Sequence, residues 1–124
     1  MAERWVVQGT TEVLTGNGAV MLLRTAHAAG TLTTWFESDG GRILALITNG
    51  QRAMVLLMDH EGDAGEHAVT PHATGEASGF VLENGQEDTY ADRDTVPLDD
   101  GYLAVAHIVD TGSAPPGLPW TIDR

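Results

Sequence analysis

The 124-residue sequence contains no cysteine and no lysine, and each absence removes a class of chemistry. Without cysteine there is no thiolate nucleophile, no disulfide and no sulfur-ligated zinc, so the zinc deaminase pattern of His-x-Glu followed by Pro-Cys-x-x-Cys cannot be assembled. Without lysine there is no phosphate-binding P-loop, and Gly16-Asn17-Gly18 is therefore interpreted as a turn.

Long apolar runs and serine motifs are missing as well. No stretch approaches the ~20 apolar residues that span a bilayer, and the N-terminal residues lack the basic flank and apolar core of a secretory signal. Ser38, Ser78 and Ser113 all lie outside any Gly-x-Ser-x-Gly elbow. We therefore expect a cytoplasmic protein that is not an enzyme, needs no cofactor and forms one domain over residues 1–124, long enough to bury a core without disulfides.

Acidic residues are in large excess over basic residues. Eighteen acidic residues face six arginines, for a net charge of -12, and the segment from Asp59 to Asp110 holds only one of those arginines, Arg93. Nucleic acids and anionic membranes repel such a surface, whereas a basic protein partner is attracted to it. The alternative interpretation is that the acids only keep the protein soluble.

Turn and periodicity signals predict the elements of the first half of the chain. A short strand is expected at residues 5–7 and a helix at 17–29, with Asn17 or Thr15 as its N-cap and Gly30 after its end. Three β-type runs then follow, and Asn49-Gly50 predicts a type I′ turn between the last two. These runs cover residues 32–38, 42–48 and 51–58.

The second half begins with a polar, glycine-rich stretch at residues 59–79, predicted to be a long loop or a loop with one weak strand around residues 67–70. Asn84-Gly85 predicts another hairpin. From Leu98 onward, apolar residues recur at helical spacing up to Gly112, which is expected to end the helix. The fold class is therefore α+β: an antiparallel sheet of about five strands, in a meander of hairpins, with two main helices packed on it.

One cluster has residue types that ligate metals. It consists of His60, Glu61, Asp63, His67 and His72, in the glycine-rich stretch. Its spacing fits no pair of ligands on one helix, so we interpret these residues as solvated side chains and predict no metal. A small metal-dependent enzyme that uses the His60–His72 cluster stays open as an alternative.

The C-terminal residues resemble a known family. Val96-Pro97-Leu98, Ala104-Val105, Thr111-Gly112, the proline that follows and Leu118-x-Trp120 occur in the order typical of immunity protein family one of bacterial polymorphic toxin systems. The match covers residues 96–120 well and about two thirds of the chain more loosely. It departs from the family pattern where Ile108 or Val109 replaces an aromatic residue.

The resemblance implies an α+β fold and a function by binding. It implies an immunity protein, or antitoxin, that forms a heterodimer with a cognate toxin and blocks its active site or substrate groove, the toxin being a nucleic-acid (DNA) cytosine deaminase. An acidic adaptor or scaffold without a toxin partner is the other alternative. Packing explains three residues of the signature: Pro97 in the first helical turn, Gly112 at the helix end and Trp120 in the core, between the last helix and the sheet.

The acidic loops are the predicted partner-binding surface. A toxin that acts on nucleic acid carries a positive groove for phosphates, and carboxylates at comparable spacing would be steered to it and compete with the substrate. The predicted contact residues are Asp59, Glu61, Asp63 and Glu66 in the long loop, with Glu87, Asp88 and Tyr90 beyond the second hairpin turn. We expect no direct contact with nucleic acid or membrane.

Overall fold

The computed structural model describes residues 3–124, which form nine β-strands, two α-helices and one short 3-10 turn. The strands are β1 (Trp5–Val7), β2 (Thr33–Ser38), β3 (Ile43–Thr48), β4 (Arg52–Met58), β5 (Glu66–Ala68), β6 (Glu76–Val81), β7 (Glu87–Ala91), β8 (Val96–Pro97) and β9 (Trp120–Ile122). The helices are α1 (Gly16–Ala28) and α2 (Leu98–Thr111), and the 3-10 turn is Asp92–Asp94. The α+β class is confirmed, with more strands than the five or so predicted.

Seven of the strands form one antiparallel sheet in the order β1-β2-β3-β4-β5-β9, with β8 paired to one end of β4. The meander of β2, β3 and β4 is present as predicted. Strands β6 and β7 stand apart as a two-stranded sheet. The second hairpin therefore does not add further strands to the meander.

Both helices lie on one face of the sheet and bury its alternating apolar residues. Leu46 is paired with Val55, so the two side chains lie on the same face, and both pack in the core with residues of the helices. On α2, Gly101 allows a close approach, since a Cβ atom there would lie 2.9 Å from Cβ of Ala53 and 3.3 Å from Leu46. The main core lies between this sheet face and the two helices.

The helix ends follow the capping signals closely. Thr15 caps α1 by accepting a hydrogen bond from the Gly18 amide at 3.0 Å, so the alternative cap, Asn17, lies inside the helix. Gly112 ends α2 in the left-handed conformation, with φ of 78°. Pro97 occupies the N-cap position of α2, one residue before the first turn in which it was expected.

The turn at Asn49-Gly50 differs from the prediction. Within residues 3–124 only glycines have positive φ, which excludes the type I′ turn because that turn needs positive φ at both central residues. Instead, the Asn49 carboxamide oxygen accepts hydrogen bonds from the amides of Gln51 and Arg52 at 2.9 and 2.8 Å. The hairpin forms, but the side chain of Asn49 closes it.

None of the helices in residues 3–124 has the length and apolar character needed to cross a membrane.

Candidate functional site

The β6–β7 hairpin lies against the sheet face that the helices leave open. Phe80 of β6 is fully buried, and the Thr33 hydroxyl donates a 2.6 Å hydrogen bond to the Val81 carbonyl. Nearby, the Asn49 amide group donates to the Ser78 carbonyl at 3.1 Å. Because helices cover one face of β3 and the hairpin approaches the other, every residue of β3 is buried.

The hairpin tip reaches β2 through a second side chain. The indole N–H of Trp35 donates a hydrogen bond to the carboxylate of Glu83, which lies in the turn between β6 and β7. Trp35 is half-buried, so its ring both supports the tip and faces solvent. This contact fixes the position of a carboxylate beside an aromatic surface.

An open groove of about 280 Å³ lies between the hairpin tip and the loop that follows β4. We call it the hairpin groove. Ile43 and Met58, which pair across β3 and β4, are nearly buried at its base. The lining residues are Gln8, Trp35, Ile43, Met58, Glu61, Gly62 and Glu83.

The groove combines apolar surface with negative charge. Glu61 and Glu83 are both exposed, come from different loops, and form no salt bridge with any residue in the range 3–124. None of the lining residues is a cation. The arrangement can therefore accept a lysine or arginine side chain, whose alkyl stem packs on Trp35 while its charge meets the carboxylates.

Three of the four predicted acids in the 59–66 segment are already partnered. The guanidinium of Arg124 lies 3.0 Å from Asp59, 3.7 Å from Asp63 and 3.5 Å from Glu66. The arginine draws the three acids together and offsets part of their charge. Glu61 is the predicted acid of this segment that lies on the hairpin groove.

Asp63 has a structural role in its loop. Its side chain is only 8% exposed, and it accepts a 3.0 Å hydrogen bond from the Asp59 amide. That bond, together with one from Gly65 and the nearby charge of Arg124, holds the pKa of Asp63 below its usual value. A carboxylate committed to its own backbone in this way is poorly placed to contact a partner.

The predicted residues on β7 divide between its two faces. Glu87 is exposed, whereas Asp88 and Tyr90 are half-buried on the side that carries Phe80. The Tyr90 ring packs edge-to-face on Phe80 with 4.9 Å between ring centres, and its hydroxyl donates to Asp88 at 3.2 Å. Tyr90 therefore supports the hairpin from within, and burial raises its pKa, with Asp88 adding to the shift.

The five candidate metal ligands do not converge. In the described chain, residues 3–124, no group of three or more histidine or acidic side chains has the geometry to hold a metal ion. His67 contacts Asp94 and Asp123 instead, and the His60 ring contacts the Glu61 carbonyl oxygen at 3.0 Å. These five residues therefore form no common cluster within residues 3–124.

Trp120 lies on β9, at the edge of the sheet, where it pairs with Ala68. Its half-buried ring packs against the main core. It therefore contributes to the core from a terminal strand at the sheet edge, and the fully buried tryptophan of the protein is Trp5.

Sequence reasoning missed three residues that organise this region. Trp35, Glu83 and Arg124 are absent from the predicted contact residues, although Trp35 lies in a predicted strand. Side chains alternate along a strand, so Trp35 lies on the face opposite Phe36. This alternation was the signal in the sequence that could have identified Trp35. The contact between Arg124 and the 59–66 segment depends on β5 pairing with β9, and no local pattern predicts that pairing.

Comparison with protein-family models and with curated protein sequences gives no match to this chain. The resemblance of residues 96–120 to an immunity protein family therefore stays a prediction.

Proposed function

We propose that the protein is an antitoxin: it binds one cognate toxin domain, a deaminase that acts on nucleic acid, and blocks the groove that holds the substrate. The observation that supports this most is the hairpin groove, where Glu61 and Glu83 flank the exposed part of Trp35. Carboxylates attract the cationic surface that a toxin needs for phosphates, and tryptophan is a frequent binding hot spot.

The protein as a whole favours such a partner. Its net charge of -12 accelerates the approach of a basic domain from any direction, while the apolar base of the groove supplies short-range contacts once the two have met. The hydrogen bond between Trp35 and Glu83 fixes both side chains before binding, so little entropy is lost when a partner docks. A general adaptor has no need of such a fixed groove.

The direct test is co-expression with the product of the neighbouring gene. The two proteins should copurify, and stoichiometric amounts of this protein should stop deamination of a single-stranded DNA substrate by that product. Inhibition that saturates well below one equivalent would indicate turnover and contradict the antitoxin hypothesis. Failure to copurify with any single dominant partner would favour the adaptor.

A conservative variant separates the charge of the groove from its structure. Glu83→Gln keeps an oxygen that can accept the Trp35 indole N–H, so the hairpin tip should stay in place while one negative charge is lost. We expect weaker inhibition with an unchanged melting temperature. Glu76→Gln, the same change at the far end of β6, is the matched control and should inhibit like the original protein.

A further inference from the structure

The outer surface of the helical layer carries a second groove, between α1 and α2. We call it the helix groove; its volume is about 520 Å³ and most of its surface is apolar. Met21 and Leu103, one from each helix, are 69% and 65% exposed at its borders. The lining residues are Asn17, Val20, Met21, Arg24, Asp99, Tyr102, Leu103 and Ala106.

The charge around the helix groove is divided between its two helices. Arg24 of α1 lies over the ring of Tyr102, 4.6 Å from its centre, and forms no salt bridge within residues 3–124. Asp99 and Asp100 stand in the first turn of α2. No carboxylate occurs between residues 13 and 36, so α1 itself carries no acidic side chain.

We propose that the helix groove is the interface of a symmetric homodimer. A two-fold axis through the groove would place Leu103 and Met21 of each copy against the same residues of the other. It would also bring Arg24 of each copy to the acidic first turn of α2 in the other. The patch is thus complementary to itself, as an isologous interface requires.

Charge identifies a second copy as the occupant. Two copies that each carry a net charge of -12 repel one another, so an interface between them needs a cation that meets carboxylates of the other copy, and Arg24 and the first turn of α2 supply these charges. A basic toxin is drawn instead to the acidic loops on the other side of the sheet. The dimer leaves the hairpin groove open, and this inference does not depend on the proposed function.

Sedimentation velocity of the full chain over a range of concentrations tests the dimer. We expect reversible formation of a species with twice the 13.1 kDa mass of the chain. Leu103→Ser should raise the dimer dissociation constant about ten-fold or more. Ile122→Ser is the matched control, since Ile122 is 67% exposed on β9, and it should leave the constant unchanged. Because both residues are exposed, neither variant should lose its fold.

Charge exchange provides the decisive comparison. Arg24→Asp alone and Asp99→Arg alone should each weaken the dimer, and the double variant should restore it, because the pair is then reversed across the two-fold axis. Arg93→Asp makes the same charge change on an exposed residue elsewhere and should have no comparable effect. A chain that stays monomeric at all concentrations, or a Leu103→Ser variant that dimerises as strongly as the original protein, would overturn the proposal.

Discussion

The Nδ1 atom of His67, on β5, lies 2.7 Å from a carboxylate oxygen of Asp123, the residue after β9. The other ring nitrogen lies 3.0 Å from Asp94. Burial alone would lower the pKa of His67, but the hydrogen bonds and negative charges of the two aspartates outweigh it, and the pKa is raised. The His67 ring thus links the residue after β9 to the 3-10 turn, and its protonated form is favoured by both aspartates.

This arrangement predicts a loss of stability at rising pH. The folded state holds the His67 proton more tightly than the unfolded state, whose pKa is about 6.5. The stabilisation is complete below that value and is lost as the pH rises through the higher pKa of the folded state. We expect the melting temperature of His67→Gln to approach that of the original protein as the pH is raised above neutrality; a constant difference from pH 5.5 to 9 would contradict this assignment.

His27 should show the opposite dependence. Its ring stacks on Tyr102 and contacts the tyrosine hydroxyl at 2.6 Å, and burial lowers its pKa. The folded state therefore favours the neutral ring, so the stability associated with it is present above about pH 6.5 and is lost as the pH falls through the lower pKa of the folded state. Thermal melts of His27→Gln should lose less stability on acidification from pH 7 to 5 than melts of the original protein.

Charge reversal in the hairpin groove should act on the rate of toxin binding. Glu61→Lys combined with Glu83→Lys should lower the association rate about ten-fold or more at low salt, and the difference should shrink near 0.5 M salt, where the Debye length is about 4 Å. Stopped-flow measurements over a salt series provide the comparison. Glu12→Lys with Glu76→Lys changes the total charge equally on exposed residues outside the groove.

Asp63 serves as a second control for that experiment. Since Asp63 accepts the Asp59 amide and contacts Arg124, its replacement by lysine should disturb the loop and lower the melting temperature. Glu61→Lys should leave the melting temperature almost unchanged, because Glu61 is exposed and forms no salt bridge in the described part of the chain. An association rate that the groove double variant leaves unchanged would mean that the acids only solubilise the protein, and an equal decrease in the Glu12/Glu76 control would mean that net charge, and not the groove, steers the toxin.

The two core-facing tryptophans should differ in their contribution to stability. Trp5 is fully buried, so Trp5→Ala should cost about 3–5 kcal/mol of unfolding free energy. Trp120 is half-buried at the sheet edge, so Trp120→Ala should cost about 2 kcal/mol. Urea denaturation measures both, and a Trp120 variant as unstable as the Trp5 variant would show that the ring is more important to the core than its exposure indicates.

Gly101→Ala should destabilise the protein even though alanine favours helices. The added methyl group would meet Ala53 at 2.9 Å, and overpacking of this kind costs about 1–3 kcal/mol. Gly40→Ala is a suitable control, because its φ is not positive and the nearest atom would lie 3.5 Å from the new Cβ. Differential scanning calorimetry should show a lower melting temperature for the first variant and little change for the second.

Local signals were sufficient to predict most of the elements. Thr15, Gly30 and Gly112 mark helix ends through backbone preferences that act over a few residues, and alternation marks the meander strands. The predicted face of α2 is also confirmed: Tyr102, Val105 and Val109 are buried, and Leu98 packs against them. These features depend on residues that are close together in the sequence, so one sequence is enough to predict them.

Pairing between distant segments could not be predicted in the same way. The β6–β7 hairpin forms around Asn84-Gly85 as predicted, but its position against the sheet depends on the contact of Thr33 with Val81 and that of Trp35 with Glu83, 48 residues apart in each case. The salt bridges between Arg124 and the acids of residues 59–66 also join segments that are far apart in the sequence. Because the candidate site is built from such contacts, its acids were predicted in part and its aromatic residue was not.

The two outer strands of the main sheet, β1 and β9, are only three residues long, whereas the apolar strands β3 and β4 lie inside it. A short edge exposes few unpaired backbone groups, so it is a poor template for a strand from another molecule. The six-residue β3 and the seven-residue β4, which are the most apolar strands, are thus kept away from open edges. We expect loss of β1 to uncover the edge of the six-residue β2 and so to raise the tendency of the protein to aggregate.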